Sequence, residues 1–324
     1  MDFKLYKPYL LKFQSLIALF ILCLVISLLS DKFLTVANGW NVMRQISVNV
    51  CISVGMTLVV LTAGIDLSVG SVLAFSGAVT AGLLRNGIEL ASTNTFVGFT
   101  VLGAILAGLL IGTILGVFNG WVITKFKVPP FVATLAMLTI ARGLTLLYTQ
   151  GFPISGLGND FAFIGTGWFL SIPVPVWISA FVVLIAVVIT NKTRLGRYIY
   201  AIGGNEHASR LSGINIKQVK IIVYGIAGFL AALGGIMVTS RLDSAQPNAG
   251  MSYELDSIAA VVIGGTSLSG GRGTIMGTVL GAIIIGVLNN GLVLLDVSPF
   301  WQQVVKGLVI LLAVIIDKTN SKAE

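Results

Sequence analysis

The sequence predicts an all-α polytopic membrane protein, a single domain of about ten transmembrane helices with an inverted internal repeat. Three observations predict it. Of the 324 residues, 56% are hydrophobic and only 10% charged, where a soluble domain carries about a quarter charged residues. Apolar runs long enough to span a bilayer, about 20 residues each, recur ten times. The third observation is that Lys and Arg gather in alternate connections between those runs.

Taken in order, the runs predict spans near 14–30, 44–63, 67–84, 97–123, 131–149, 173–190, 219–239, 253–267, 274–294 and 300–316. The basic start and apolar stretch at 16–29 resemble a signal peptide. Leu28-Leu29-Ser30-Asp31 offers no small-residue cleavage site, however, so the segment reads as a retained first span. With the N-terminus inside, the cytoplasmic segments hold Lys4, Lys7, Lys12, Lys125, Lys127, Lys192, Arg194, Arg197, Arg210, Lys217, Lys220, Arg272, Lys318 and Lys322. Only Lys32, Arg44, Arg85 and Arg241 fall outside, while Arg142 and Lys306 lie within spans. This asymmetry orients the chain with both termini cytoplasmic. It accounts for the net charge of +8 without any nucleic-acid partner. Cys23 and Cys51 fall inside apolar runs and read as small core hydrophobes, with no disulfide or metal framework.

The halves 44–149 and 219–316 resemble each other. A shift of 170 lays "GTILGVFNGWVITKFKVPPF" (112–131) on "AIIIGVLNNGLVLLDVSPFW" (282–301), matching Gly116 with Gly286, Asn119 with Asn289 and Pro129 with Pro299. A shift of 188 lays "DLSVGSVLAFSGA" (66–78) on "ELDSIAAVVIGGT" (254–266). By the charge count Pro129 is at an inner end and Pro299 at an outer end. The repeat is therefore inverted, an architecture of transporters that rock around a path at the repeat interface. Pairing "GIDLSVG" with "GTSLSGG" instead would set the end of one span against the start of another.

Asp66, in "LTAGIDLSVGSV" (61–72), would cost roughly 2.5–3.5 kcal/mol at mid-bilayer. Topology puts it at the cytoplasmic junction of spans two and three, where with Ser68 it reads as a helix cap; an inner gate is the other reading. "SLSGGRGT" (267–274) resembles the signature of ATP-binding-cassette ATPases, but a phosphate site needs G-x-x-x-x-G-K-[ST] and the Lys is missing. It reads as a Gly-rich turn, and no ATP is hydrolysed here. His207 is the only histidine and lies in a charged loop, so catalytic and metal sites are both expected to be absent. The few titratable groups in the spans argue against an ion-coupled secondary carrier, the alternative reading.

Uncharged polar residues do enter the spans. Asn49, Asn119, Thr134, Asn289 and Asn290 could line a path for a neutral, hydroxyl-rich solute, with interhelical hydrogen bonding as the plainer role. Gly112, Gly116 and Gly120, at four-residue spacing, allow close helix packing. The cytoplasmic loop 191–218 is too long and charged for a simple connection, and suits docking of a cytosolic partner.

"LTAGIDLSVGSVLAFSGAV", "TRLGRYIYAIGGNEHASRLSGI", "RLDSAQPNAGMSYELDSIAAVVIGGTSLSGGRGTIMG" and "GVLNNGL" together resemble the sugar/branched-chain amino acid permease family of bacterial ATP-binding-cassette importers, its ribose permeases above all. Permeases for xylose and galactose share much of this pattern. The resemblance, from about Ser15 to Asp317, implies a homodimeric ten-span permease in membrane lipid that binds no cofactor itself. A separate ATPase subunit would hydrolyse ATP, and a periplasmic sugar-binding protein would deliver the solute. It further implies that Gly203, Gly204, Asn205, Glu206, Arg210, Leu211, Ser212 and Gly213 form the element that contacts the ATPase.

Overall fold

The computed structural model describes residues 3–90 and 95–321; the chain termini, whose side was read from charge, lie outside them. Among the described residues the chain forms thirteen helices and three two-residue or three-residue strand pairs. The long helices are α1 (Phe3–Leu29), α2 (Val36–Leu61), α3 (Val69–Asn86), α4 (Val101–Phe126), α5 (Pro130–Thr149), α7 (Val174–Lys192), α10 (Ile216–Leu242), α12 (Ile275–Leu294) and α13 (Pro299–Ser321). Short helices α6 (Asn159–Thr166), α8 (Arg194–Gly204), α9 (Glu206–Leu211) and α11 (Tyr253–Ile263) join them.

Among the described residues six helices, α2, α4, α5, α7, α10 and α12, are long and apolar enough to cross a membrane. Helix α11 differs from the expected span at 253–267. Its 11 residues reach only about 16 Å, half of a hydrocarbon core of about 30 Å. The reason is local: the chain leaves the helix at Gly264 and turns through Gly265, whose φ is +82°.

Helices start where a Thr or Asn side chain can accept a free N–H of the first turn. Thr100 does so for α4 at 3.2 Å, Asn215 for α10 at 3.1 Å and Thr274 for α12 at 3.1 Å. Pro opens α5 and α7, where its missing N–H costs nothing.

Helices α2 and α10 form the centre, buried along most of their length. Helix α4 buries only one stripe, including Gly108, Gly112, Gly116, Asn119 and Gly120. A Cβ on Gly116 would lie 3.0 Å from the Gly228 Cα, and one on Gly120 2.7 Å from the Ile221 Cα. The expected close packing is therefore of α4 on α10, backbone against backbone. The opposite face of α4 exposes Leu102, Leu106, Leu110 and Ile114. An outward apolar surface of this extent suits lipid rather than water.

Helix α10, about 40 Å long, separates the two ends of the bundle. At one end lie α8 and α9. At the other are α6, β3 (Ile154–Ser155) paired antiparallel with β6 (Ser244–Ala245), and β4 (Trp168–Phe169) paired with β5 (Ile172–Pro173). The glycine-rich 149–172 stretch thus folds into short, ordered elements; β1 (Ile88–Leu90) and β2 (Thr95–Val97) form the third hairpin.

Candidate functional site

Three places gather the residues that the sequence singles out. The first is the junction between α2 and α3. Asp66 is 1% exposed, and its Oδ1 accepts the Ser68 N–H at 2.9 Å and the Ser68 hydroxyl at 2.6 Å. It therefore holds the residue that starts α3 rather than the N–H groups of the first turn, as a helix cap would. The Asn119 amide donates to Ser68 Oγ at 3.0 Å, and the Thr134 hydroxyl to the Ile65 carbonyl at 3.2 Å. The side chains of Asp66 and Ser68 in the turn before α3, Asn119 of α4 and Thr134 of α5 thus close one hydrogen-bonded knot that also takes in the Ile65 carbonyl. Tyr224 of α10 lies against Gly64 so tightly that a Cβ there would be 2.5 Å from its hydroxyl.

The second place is the α8–α9 end. Asn205 caps α9 by accepting the Ala208 N–H at 2.9 Å. Glu206 accepts from Lys220 at 2.7 Å and from Arg210 at 3.3 Å. The Lys220 hydrogen bond holds the Glu206 carboxyl below the usual carboxylate range, with the charges of Lys220 and Arg210 adding to it. Asn205, Glu206, Arg210, Leu211, Ser212 and Gly213 are all exposed, and Leu211, 78% exposed, puts an apolar tip into solvent.

Gly203 faces the bundle instead, whereas Gly204 is exposed and a Cβ there would meet nothing within 4 Å. A Cβ on Gly203 would strike the Leu61 carbonyl that ends α2. The same carbonyl accepts the Gly271 N–H at 3.0 Å, and Gly270 and Gly271 adopt φ of +85° and +73°. The Tyr200 hydroxyl donates to the Gly273 carbonyl at 2.8 Å. The "SLSGGRGT" turn is therefore the pad that ties α8 to the end of α2, five residues before Asp66. Only Gly permits so close an approach at these positive φ values.

The third place is a cavity of about 260 Å³ between α2 and α10–α13. Its polar walls include Gln45, Asn49, Asp256, Asn289, Gln302 and Lys306. Asp256 is 4% exposed; its Oδ2 accepts from Lys306 at 3.0 Å and from the Asn289 amide at 3.1 Å. Arg241 and Tyr253 complete the polar lining. Asp256 and the Gln45 and Gln302 side chains went unremarked in the sequence, although the 188-residue shift that aligns Asp66 with Glu254 also aligns Ser68 with Asp256.

Of the five expected path residues, the cavity gathers Asn49 and Asn289. Asn119 and Thr134 belong to the α2–α3 knot. Asn290 exchanges two amide hydrogen bonds with Asn38, at 2.9 and 3.0 Å, and so ties α12 to the start of α2. Asn119 also borders a second, apolar cavity of about 280 Å³ between α4 and α5, walled by Phe118, Val122, Val132 and Met137. Arg142, which the apolar runs set within a span, donates to the Pro247 and Ala249 carbonyls at 2.7 and 2.9 Å and holds the segment before α11. Among the described residues no group of three or more His, Cys, Asp or Glu could hold a metal ion.

Comparison with known proteins agrees with this membrane architecture. Residues 39–314 match the family described as branched-chain amino acid transport system / permease component. The chain is 52% identical to the ribose import permease protein of Haemophilus influenzae, over 95% of this chain and 94% of that one. It is 53% identical to the ribose import permease protein of Bacillus subtilis, over 96% and 94%. With the D-allose transport system permease protein of Escherichia coli it shares 41% identity over 94% and 91%. No solved structure matches. The chain belongs to the branched-chain amino acid transport system / permease component family.

Proposed function

We propose that the chain is the membrane-spanning permease subunit of an ATP-binding-cassette importer that carries a monosaccharide, ribose first among the candidates. It acts as a homodimer of ten-span chains in the bacterial inner membrane, with both termini cytoplasmic. An ATPase subunit docks on the cytoplasmic α8–α9 element, and a periplasmic sugar-binding protein delivers the solute at the α6 end. The observation that carries this reading is the construction of the α8–α9 end. An exposed, charge-fixed helix with an apolar tip is joined through Gly203, Tyr200 and the 264–273 turn to the last carbonyl of α2. A push on α9 therefore reaches the α2–α3 junction without a flexible linker. The solute follows from the ribose permeases at 52% and 53% identity.

Two features support the inverted repeat. Helix α4 packs on α10 as α12 packs on α2, and α5 on α3 as α13 on α11. The shifts of 188 and 170 also carry Ser68 onto Asp256 and Asn119 onto Asn289. The Asn119–Ser68 hydrogen bond thus has its counterpart in Asn289–Asp256. The ten-span count needs the short α11 to act together with its flanking turns.

One observation favours the ion-coupled carrier instead: the Asp256–Lys306 pair, with Asp256 buried and Lys306 one-fifth exposed. Uptake into proteoliposomes separates the two. The importer reading expects ribose accumulation only with ATP, the ATPase and the binding protein together. Accumulation by this chain alone, driven by a proton or sodium gradient, would overturn it.

A further inference from the structure

The cavity between α2 and α10–α13 holds buried polar atoms that no protein group satisfies. Asp256 Oδ1 and Asn289 Oδ1 are both enclosed and without a hydrogen-bond partner, as is Arg241 Nη1. Asp256 is more than nine-tenths buried, and all three residues line the cavity. Unpaired buried acceptors are costly, and they are normally satisfied by a partner that the protein surrounds. The Gln45 and Asn49 side chains line the same space and make no hydrogen bond among the described residues.

The size and chemistry of the space define what would fill it. Its 260 Å³ equals roughly nine water volumes, room for a solute of pentose size. The walls offer acceptors at Asp256 and Asn289, donors at Lys306 and Arg241, and amides of either sense at Gln45, Asn49 and Gln302. That mixture suits adjacent hydroxyls, each of which donates once and accepts once. Tyr253 adds an aromatic surface. A branched aliphatic side chain would instead desolvate these groups without replacing their water, in return for apolar contact with Val48, Val293 and the Tyr253 ring.

We infer that this cavity is a solute-binding site of the permease itself, which holds a neutral monosaccharide through its hydroxyls at Asp256, Asn289, Asn49 and Gln45. The inference rests on the permease reading and adds to it. Recognition then does not end at the binding protein: the sugar is weighed a second time inside the membrane chain, before the α2–α3 knot.

The test uses the full chain in lipid nanodiscs without binding protein or ATPase, and ribose as the probe. Saturation-transfer NMR is expected to show ribose contacting the wild type and leucine not doing so. Gln45→Ala with Asn49→Ala removes two solute contacts and no internal hydrogen bond, so affinity should fall about tenfold at an unchanged melting temperature. Should the double variant melt lower, ribose protection of Asn49→Cys from alkylation provides the readout instead. Absence of ribose contact with the wild type, equal contact with the double variant, no protection of the cysteine, or preference for leucine would each overturn the site. Ribose uptake by the complete wild-type importer is measured alongside. Its loss would sink the permease reading, whereas normal uptake without a ribose signal would sink the site alone.

Discussion

The α2–α3 junction and the cavity between α2 and α10–α13 sit at positions that the proposed repeat sets in correspondence, yet they end in opposite states. At the junction, Ser68 stands between Asp66 and Asn119, and one hydroxyl both donates to the carboxylate and accepts from the amide. The knot is closed. Around the cavity the position corresponding to Ser68 is Asp256, a longer acceptor-only side chain that needs a cation and leaves one oxygen unpaired. The difference between a hydroxyl and a carboxylate at one aligned position separates a sealed structural joint from a polar space able to take a solute.

The largest effect is expected from breaking the cavity side. Lys306→Ala leaves the Asp256 carboxylate buried without its cation, a loss of about 3–5 kcal/mol for a buried pair. It should appear as a lower melting temperature of the purified chain. Asp256→Asn in that background should restore much of the loss by removing the charge. If Lys306→Ala melts like the wild type, the pair does not organise the cavity.

Breaking the junction comes next. Asp66→Leu orphans the Ser68 N–H and hydroxyl, about 1–3 kcal/mol each where both are buried, so folded yield should drop. Asp66→Asn keeps an acceptor at the same place and should retain most transport. Loss of coupling in Asp66→Asn, with a shifted pH dependence of uptake, would make Asp66 a proton carrier and not a joint.

The smallest effect concerns the exposed α8–α9 end. Because Lys220 and Arg210 hold the Glu206 carboxyl below its ordinary value of 4.5, their contribution to α9 is present above that pH. It is lost as pH falls through the lower, folded value. At neutral pH, Glu206→Gln should loosen α9 slightly, read as faster amide exchange at residues 206–211, and should abolish the acid-induced change. An acid response that survives in Glu206→Gln would assign it elsewhere. The pair is largely solvated, so the effect is screened.

These contrasts show how far the sequence could be read. The long helices followed from apolar runs, and the topology argument placed Asp66 at a helix junction, which is where the structure has it. What the sequence hid was long-range geometry. Asp256 meets Asn289 and Lys306 across 33 and 50 residues, distances at which no periodicity connects them. Asn289 and Asn290 are neighbours in sequence but about 100° apart around a helix. One faces the cavity and the other Asn38, and composition cannot separate them. Helix α11 looked like a span because the apolar run continues through Val261 and Ile263 into glycines, and hydropathy does not register the turn at Gly265. "SLSGGRGT" gave up its role only once Gly271 was seen against Leu61.

The most direct test of the contrast is cysteine accessibility in intact cells, after Cys23 and Cys51 are replaced by Ser. The account predicts that Asn49→Cys reacts with a membrane-impermeant maleimide added outside, whereas Ser68→Cys stays unlabelled in the resting protein. Labelling of Ser68→Cys from outside, or of Asn49→Cys only from the cytoplasmic side, would contradict it.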